Sequence, residues 1–212
     1  MTVQFALAPT SWTPFHKDNE AKPALGPVTH FDQDCEIYGE GDGADYYYKV
    51  VSGMVRTCKF FADGRRQIDG FHAAGDLFGV ETGGEHSLTA EAVNDCSIVA
   101  IRRGNVESST QLLPELLRNL GRAQQHAVLL GRRSAVEKVS AFLLLLADEA
   151  AARGEAVITL PMTRQDIGDY LGLTIETVSR TIWQFERDDI LELPAARQIK
   201  IKDYDALVDL RG

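Results

Sequence analysis

Three polar residues with complementary hydrogen-bonding groups lie within five positions of one another: Glu176, Ser179 and Arg180. Residues three and four positions apart share one face of a helix, so a helix through this segment presents all three groups together. An arginine fork can donate to guanine O6 and N7, and a carboxylate can accept from cytosine N4. We therefore predict that these three residues, the base-reading triplet, contact DNA bases.

Residues 163–186 predict the two short helices that would position this triplet. Thr163 and Asp166 have the spacing of a capping box, which starts the first helix. Gly172 can adopt the positive φ that ends this helix, and Thr174 can cap the second one. Two helices joined in this way form a helix-turn-helix, whose second helix fits the DNA major groove.

Both predicted helices carry an apolar stripe at helical spacing, which indicates a buried face. The two stripes comprise Ile167, Tyr170, Leu171, Val178, Ile182 and Phe185. We expect Trp183 to pack in the core or at a hinge rather than to stack on bases. The alternative interpretation of the segment is an ordinary antiparallel helix pair whose polar face is only solvated.

Polar side chains at the two predicted helix N-termini are candidate phosphate contacts. Free backbone N–H groups and the helix dipole favour an anion at such positions, and hydroxyl, amide and guanidinium groups add donors. The candidates are Thr163, Arg164, Gln165, Thr174 and Thr177.

The chain resembles the cyclic-AMP receptor protein/FNR family of bacterial transcription regulators over about residues 28–202. The run Glu176–Thr177–Val178–Ser179–Arg180 matches the FNR and FixK pattern, which has Ser where the cyclic-AMP receptor has Gly. The longer run DIGDYLGLTIETVSR, with EIYGEGD and GDLFG upstream, is most similar to the FixK-type regulators of alpha-proteobacteria.

The resemblance implies a homodimeric transcription regulator, which we expect to be an activator and not an enzyme. It implies an operator of the TTGAT–N4–ATCAA kind, RNA polymerase as a partner, and control of genes for low-oxygen respiration and nitrogen fixation. The implied fold class is α+β. It has an N-terminal cyclic-nucleotide-binding-like antiparallel β-roll, a long dimerisation helix and a C-terminal winged helix-turn-helix.

The sequence pattern divides in the same way. Short β-prone runs alternate with turn residues from Val28 to Arg103, and Asp63–Gly64 predicts a hairpin between two of them. Ser134 and Glu137 predict the capping box of a helix that continues to about Arg153. The predicted units are a loosely ordered tail at 1–27, the β-roll at 28–110, the dimerisation helix at 111–133 and the DNA-binding domain at 134–212.

An apolar seam of about two heptads predicts the dimer interface. Its residues are Leu116, Leu120, Ala123, Ala127 and Leu130. A twofold operator requires a twofold protein, which favours this assignment. The alternative is that this helix packs only on its own β-roll.

Two short strands around residues 194–196 predict a wing after the second helix. The net charge is −9, and residues 155–212 alone carry seven Lys/Arg against eleven Asp/Glu, a net of −4. We therefore expect weak non-specific DNA binding, with affinity dependent on a few placed cations and on dimerisation. The cations that could share one face are Arg164, Arg180, Arg197, Lys200 and Lys202.

The phosphate-binding position of the β-roll argues against a cyclic nucleotide. In nucleotide-binding members of the family an Arg–Ser pair holds the cyclic phosphate, and here the aligned residues are His86 and Ser87, preceded by Glu85. A neutral histidine cannot replace a permanent guanidinium fork. We expect no cyclic-AMP binding.

No other cofactor is predicted. The first 34 residues contain no cysteine, whereas a [4Fe–4S] cluster usually needs four thiolates. We expect Cys35, Cys58 and Cys96 to be buried small hydrophobic residues; the alternative is that one of them is a redox-sensitive thiol. The five histidines lack metal-ligand spacing. We expect a cytoplasmic protein with no membrane partner, because there is no signal sequence and the longest apolar run is short.

A second function class stays open at this stage. The β-roll could bind a small effector such as haem or a nucleotide, and His72 and His86 are expected near its pocket. Such a protein would be an effector-gated sensor, whereas no set of residues for enzyme catalysis can be assembled from the sequence.

Overall fold

The structure is a computed structural model that describes residues 26–103 and 109–212, without the side chains of residues 109–112. The predicted tail at 1–27 lies outside the described residues apart from Gly26 and Pro27. His16 lies outside them as well.

The N-terminal part is a roll of two four-stranded antiparallel sheets, in the orders β1-β8-β3-β6 and β2-β7-β4-β5. Its strands are β1 Val28–Phe31, β2 Glu36–Tyr38, β3 Tyr46–Ser52, β4 Met54–Phe60, β5 Arg66–Ala73, β6 Leu77–Phe78, β7 Thr89–Ala92 and β8 Cys96–Arg102. Apolar residues between the sheets form its core, with Val50, Val55 and Ile98 almost fully buried.

Tight turns join these strands where glycine is needed. The predicted hairpin is present, because β4 and β5 pair around a turn in which Gly64 has φ +85°. At Gly53, with φ +81°, an added Cβ would lie 2.5 Å from the carbonyl oxygen of Asp95, so only glycine fits. The prediction of three buried cysteines is wrong for Cys35, which is exposed, and right for Cys58 and Cys96.

Five helices follow the roll in the part of the chain that the structure describes. They are α1 Ser109–Leu130, α2 Ala135–Ala152, α3 Arg164–Leu171, α4 Ile175–Arg187 and α5 Tyr204–Asp209. The predicted break between the first two helices is confirmed, because Ser134 caps α2 by accepting a hydrogen bond from the Glu137 amide. Among the described residues, no helix is long and apolar enough to cross a membrane.

The C-terminal core assembles α2 to α5 on a small sheet. The α2 residues Val139, Phe142 and Leu143 are buried in the same core as the helix-turn-helix. The wing has one more strand than predicted, since β11 Gln198–Ile201 pairs with β10 Leu191–Ala195 on one side and with β9 Ile158–Thr159 on the other. The β9 strand is only two residues long, too short for a periodicity signal.

Candidate nucleic-acid interface

The start of α3 has the predicted capping box. The Thr163 hydroxyl oxygen accepts from the Asp166 amide at 3.1 Å, and the Asp166 carboxylate accepts from the Thr163 amide at 2.9 Å. The helix ends at Gly172 in the left-handed region, with φ 64° and ψ 42°. The turn is tight, because a Cβ on Gly168 would lie 2.8 Å from the Leu173 carbonyl oxygen. This requirement at Gly168 was not predicted.

The second helix, α4, also begins as predicted. Thr174 caps it by accepting from the Thr177 amide at 3.2 Å. Val178, Ile182 and Phe185 are buried in the domain core, which fixes the rotation of the helix about its axis. The opposite face of α4 therefore points away from the protein.

That outward face carries the base-reading triplet. Glu176 and Arg180 are exposed and Ser179 is half-buried. Among the described residues, no hydrogen bond or ion pair engages the Arg180 guanidinium. Hydrogen bonding to its own backbone amide lowers the pKa of Glu176, so this carboxylate is an ionised acceptor at neutral pH. The structure brings an acceptor, a hydroxyl and a cation onto one accessible surface.

The predicted phosphate-contacting hydroxyl and amide groups also hold the motif together. Thr163 donates to Asp166 at 2.7 Å, and the Thr174 and Thr177 hydroxyls lie 3.0 Å apart. Gln165 donates to Asp169 at 2.6 Å. These side chains sit at the two helix N-termini, where the sequence places them, and their contact with phosphate stays a prediction.

Arg164 differs from those residues because part of its guanidinium has nothing to bind. Its side chain is half-buried in a groove of about 430 Å³ between α4 and the wing. Burial lowers its pKa, and its Nη1 atom has no hydrogen-bond partner among the described residues. The Arg164 guanidinium therefore has a donor that the described residues leave unused, beside a groove that Glu186 also lines.

The other predicted cations are engaged within the domain. Arg197 donates to the Pro161 carbonyl at 3.2 Å. Lys200 pairs with Glu192 at 3.3 Å, and Lys202 pairs with Asp189. Exposed ion pairs of this kind are weak, so both lysines can exchange partners at little cost.

The prediction for Trp183 is wrong. It was expected to pack in the core or at a hinge, and its side chain is instead 61% exposed. Phe185 is fully buried, as expected. Trp183 lies four residues after Ser179, so it continues the face of the base-reading triplet by one helical turn.

A cluster of buried charges, which the sequence does not predict, joins the β-roll to α3. Arg66 contacts Asp166 at 2.5 Å and Asp169 at 2.8 Å. Arg56 contacts Asp166 at 3.3 Å and Glu91 at 2.8 Å. The side chains of Arg56 and Asp166 are only 8% and 2% exposed. We call these five residues the junction cluster.

Further contacts attach the C-terminal end of α3 to the same side. The His126 ring stacks on Tyr170 at 3.9 Å between centroids and is 2.7 Å from the Tyr170 carbonyl oxygen. Lys138 donates to the Leu171 carbonyl at 3.0 Å. These partners belong to α1 and α2, which lie 30 to 45 positions earlier in the chain. The spacing of neighbouring residues therefore cannot predict these contacts.

A second accessible surface is the apolar face of α1. Leu116 and Leu120 are 36% and 54% exposed, Ala123 and Ala127 are also exposed, and Leu130 is half-buried. Leu113, Leu117 and Val128 extend this surface and were not predicted. The opposite face of α1 packs on the protein through His126 and Leu129, so the helix has one covered and one open apolar side.

A cavity of about 880 Å³ lies between the β-roll and the helices α1 and α2. Its lining includes Asp69, His72, Asp76 and Glu149. Burial lowers the pKa of His72 to about 4, so its imidazole is neutral. His86 stacks on Tyr38 with centroids 3.7 Å apart and is 2% exposed.

The position expected to hold a cyclic phosphate therefore does not fit one. Burial lowers the pKa of His86, so it carries no charge at neutral pH, and it does not line the cavity. The cavity lining has five carboxylates against the two guanidinium groups of Arg122 and Arg211, a balance that disfavours an anion. Of the two histidines expected near the pocket, only His72 borders it.

Comparison with known proteins agrees with this architecture. Residues 28–111 match the cyclic nucleotide-binding domain, and residues 137–210 match the Crp-like helix-turn-helix domain. The nitrogen fixation regulation protein FixK of Azorhizobium caulinodans is 42% identical over 90% of this chain and 83% of its own. The chain belongs to the CRP/FNR family of transcription regulators, in its FixK-type branch.

Two further relatives support the same family. The nitrogen fixation regulation protein FixK of Rhizobium meliloti is 42% identical over 89% of this chain and 90% of its own. The structure of FixK2 from Bradyrhizobium japonicum has a TM-score of 0.81 and 41% identity, covering 89% of this chain and 98% of that one. The predicted fold class is confirmed, and the family consists of DNA-binding regulators rather than enzymes.

Proposed function

We propose that this FixK-type regulator acts as a homodimer that reads a palindrome of the TTGAT–N4–ATCAA kind. The observation that carries the proposal is the base-reading triplet on the open face of α4, with Arg180 free of protein partners among the described residues. Arg180 donates to the guanine of a half-site, Glu176 accepts from a cytosine, and Ser179 lies near a thymine.

Phosphate contacts hold this helix in register. Arg164 supplies an incompletely bonded guanidinium beside α4, and the Thr163 and Thr174 caps mark the two helix N-termini nearest the DNA. Gln165 and Thr177 add donors at the same ends. Such contacts position the protein without carrying sequence information.

The dimer forms through the open apolar face of α1. Leu116, Leu120 and Ala127 are exposed in the single chain, and pairing two helices would remove them from water. A twofold dimer then presents two copies of α4 to the two half-sites, about one helical turn apart.

The regulator activates transcription by contacting RNA polymerase, and its target genes serve low-oxygen respiration and nitrogen fixation. The names of the FixK relatives at 42% identity support the role in nitrogen fixation. The β4–β5 hairpin tip at Asp63–Gly64 is a candidate polymerase contact because it is exposed. Transcription from a selected operator in vitro, with and without this protein, tests activation directly.

Selection from random duplexes tests the operator. Purified protein should enrich a palindrome with TTGAT-like half-sites, and a mixture without a shared half-site would contradict the proposal.

Sedimentation tests the assembly, because Leu120→Glu buries facing like charges and should give monomers. Lys202→Glu, on the wing, is the control and should leave the dimer intact; a dimeric Leu120→Glu variant would contradict this interface.

A second candidate function is effector-gated sensing, which the cavity beside His72 favours. Its neutral imidazole could bind haem iron, and the acidic lining favours an uncharged or cationic effector over a nucleotide. The absorption spectrum of purified protein tests for haem, and a thermal-shift screen tests for other effectors. Cyclic AMP should not raise the melting temperature or tighten operator binding.

A further inference from the structure

Trp183 is a large apolar side chain on the open face of α4, where burial against the protein does not explain it. It is 61% exposed, whereas Val178, Ile182 and Phe185 on the other face are at most 1% exposed. It lies seven residues after Glu176 and three after Arg180, so these three side chains share one face. At 1.5 Å per residue, Trp183 is about 4.5 Å further along the axis than Arg180.

The groove beside Trp183 contains the features expected of a DNA-backbone contact. It is lined by α4 and the wing, and Arg164 contributes to it a nitrogen that lacks a partner among the described residues. Leu193 and Ala195 of β10 provide an apolar wall opposite Ser179. The surface thus combines an apolar strip with one cation, Arg164, and one carboxylate, Glu186, and it is continuous with the base-reading triplet through Ser179.

We propose that the Trp183 indole packs against the sugar–phosphate backbone of the operator, outside the bases that Arg180 reads, and donates Nε1–H to a phosphate oxygen. This inference rests on the proposed function, because it requires α4 to lie in the major groove. Deoxyribose offers the apolar surface that the ring needs, and a phosphate offers the acceptor that its single donor needs. Trp183 is a positioning residue, with no share in base choice.

This contact has a signature that separates it from the charged contacts. An indole displaces no condensed counterions, so losing it should weaken binding without changing the dependence of affinity on salt. Losing a phosphate-bound cation should weaken binding and flatten that dependence. Losing a base contact should change the selected sequence.

Fluorescence provides the direct test, because the chain contains two tryptophans and Trp12 can be replaced. In a Trp12→Phe protein, titration with the selected operator duplex should change the Trp183 emission until it saturates. The dissociation constant from this titration should equal the one measured by gel shift. An unrelated duplex at the same concentration should give a smaller change. Emission that stays constant while the operator is bound would overturn the inference.

Affinity measurements on Trp183 variants complete the test. Trp183→Ala should weaken operator binding about tenfold per half-site, because it removes one hydrogen bond and the packing of the ring. The selected consensus and the salt dependence of affinity should not change. Trp183→Phe should lose less, and Trp183→Lys should steepen the salt slope by about one unit per half-site. Tyr204→Ala, at another exposed aromatic on α5, is the control and should bind like the parent.

The outcomes separate this inference from the proposed function. Operator binding with the parent affinity in Trp183→Ala overturns the role of Trp183 and leaves base reading by α4 intact. Failure of the parent to select any operator overturns both. Circular dichroism and thermal melting should match the parent for all variants, because the side chain is exposed; Trp183→Gln provides a polar replacement if the alanine variant melts early.

Discussion

The two helices of the helix-turn-helix have similar polar residues with opposite environments. On α3, Asp166 and Asp169 point back into the protein, where Arg66 contacts both at 2.5–2.8 Å. On α4, Glu176 and Arg180 point outward, and Arg180 has no hydrogen bond or ion pair among the described residues. The α3 carboxylates hold the motif against the β-roll, whereas the charged groups of α4 stay accessible to solvent.

This difference shows which charges are structural and which can meet a ligand. A buried pair is costly to break, because removing one partner leaves the other uncompensated. An exposed charge contributes little to folding and can be optimised for another molecule. Substitutions of the inward-facing carboxylates of α3 should therefore act on stability, and substitutions on the open face of α4 should act on DNA binding.

The largest expected effect is the loss of Asp166. Asp166→Ala removes the carboxylate half of the α3 capping box and leaves Arg56 and Arg66 partly unpaired in a buried site, so it should lower the free energy of unfolding by about 3–5 kcal/mol. Urea unfolding followed by circular dichroism measures it. Glu176→Ala is the matched control on α4 and should leave the stability nearly unchanged, because that side chain is exposed. Equal losses would remove the distinction between the two helices.

The packing of α3 on the start of α4 gives a smaller effect. A Cβ at Gly168 would lie 2.8 Å from the Leu173 carbonyl oxygen, so Gly168→Ala should cost about 1–3 kcal/mol of unfolding free energy. Gly121, in α1, has no atom within 4 Å of its Cβ position. Gly121→Ala should therefore be neutral or stabilise by up to about 1 kcal/mol. A stable Gly168→Ala protein would mean that the turn is looser than described.

The comparison also shows what the sequence can reveal. Caps, turns and apolar stripes are local, and those of α3 and α4 were predicted correctly from Thr163, Gly172 and Thr174. The junction cluster was not predicted, because Arg66 and Asp166 are 100 positions apart and an aspartate on a solvated face has the same local pattern. Trp183 was misassigned because an aromatic residue in an amphipathic helix more often belongs to its core.

The smallest expected effect is a difference between the two helices in how their carboxylates change protein stability at acid pH. Hydrogen bonds from Thr163 and the nearby arginines lower the pKa of Asp166 against the opposing effect of burial. The ionised carboxylate therefore stabilises the fold above about pH 4, and this contribution is lost as the pH falls through the folded-state value. The stability penalty of Asp166→Asn should shrink between pH 6 and pH 3, whereas the effect of Glu176→Gln should be much smaller at every pH, because solvent screens that exposed carboxylate. A penalty independent of pH would contradict this assignment.

The central claim is that the open face of α4 reads bases, and selection with Arg180→Ala from random duplexes tests it most directly. The variant should lose about 1–3 kcal/mol of binding free energy per half-site and relax the base preference at one guanine position, while the preferences at the other positions are retained. Arg164→Ala is the control, which should keep the consensus and reduce the salt slope by about one unit per half-site. A consensus unchanged by Arg180→Ala would mean that α4 does not read the bases.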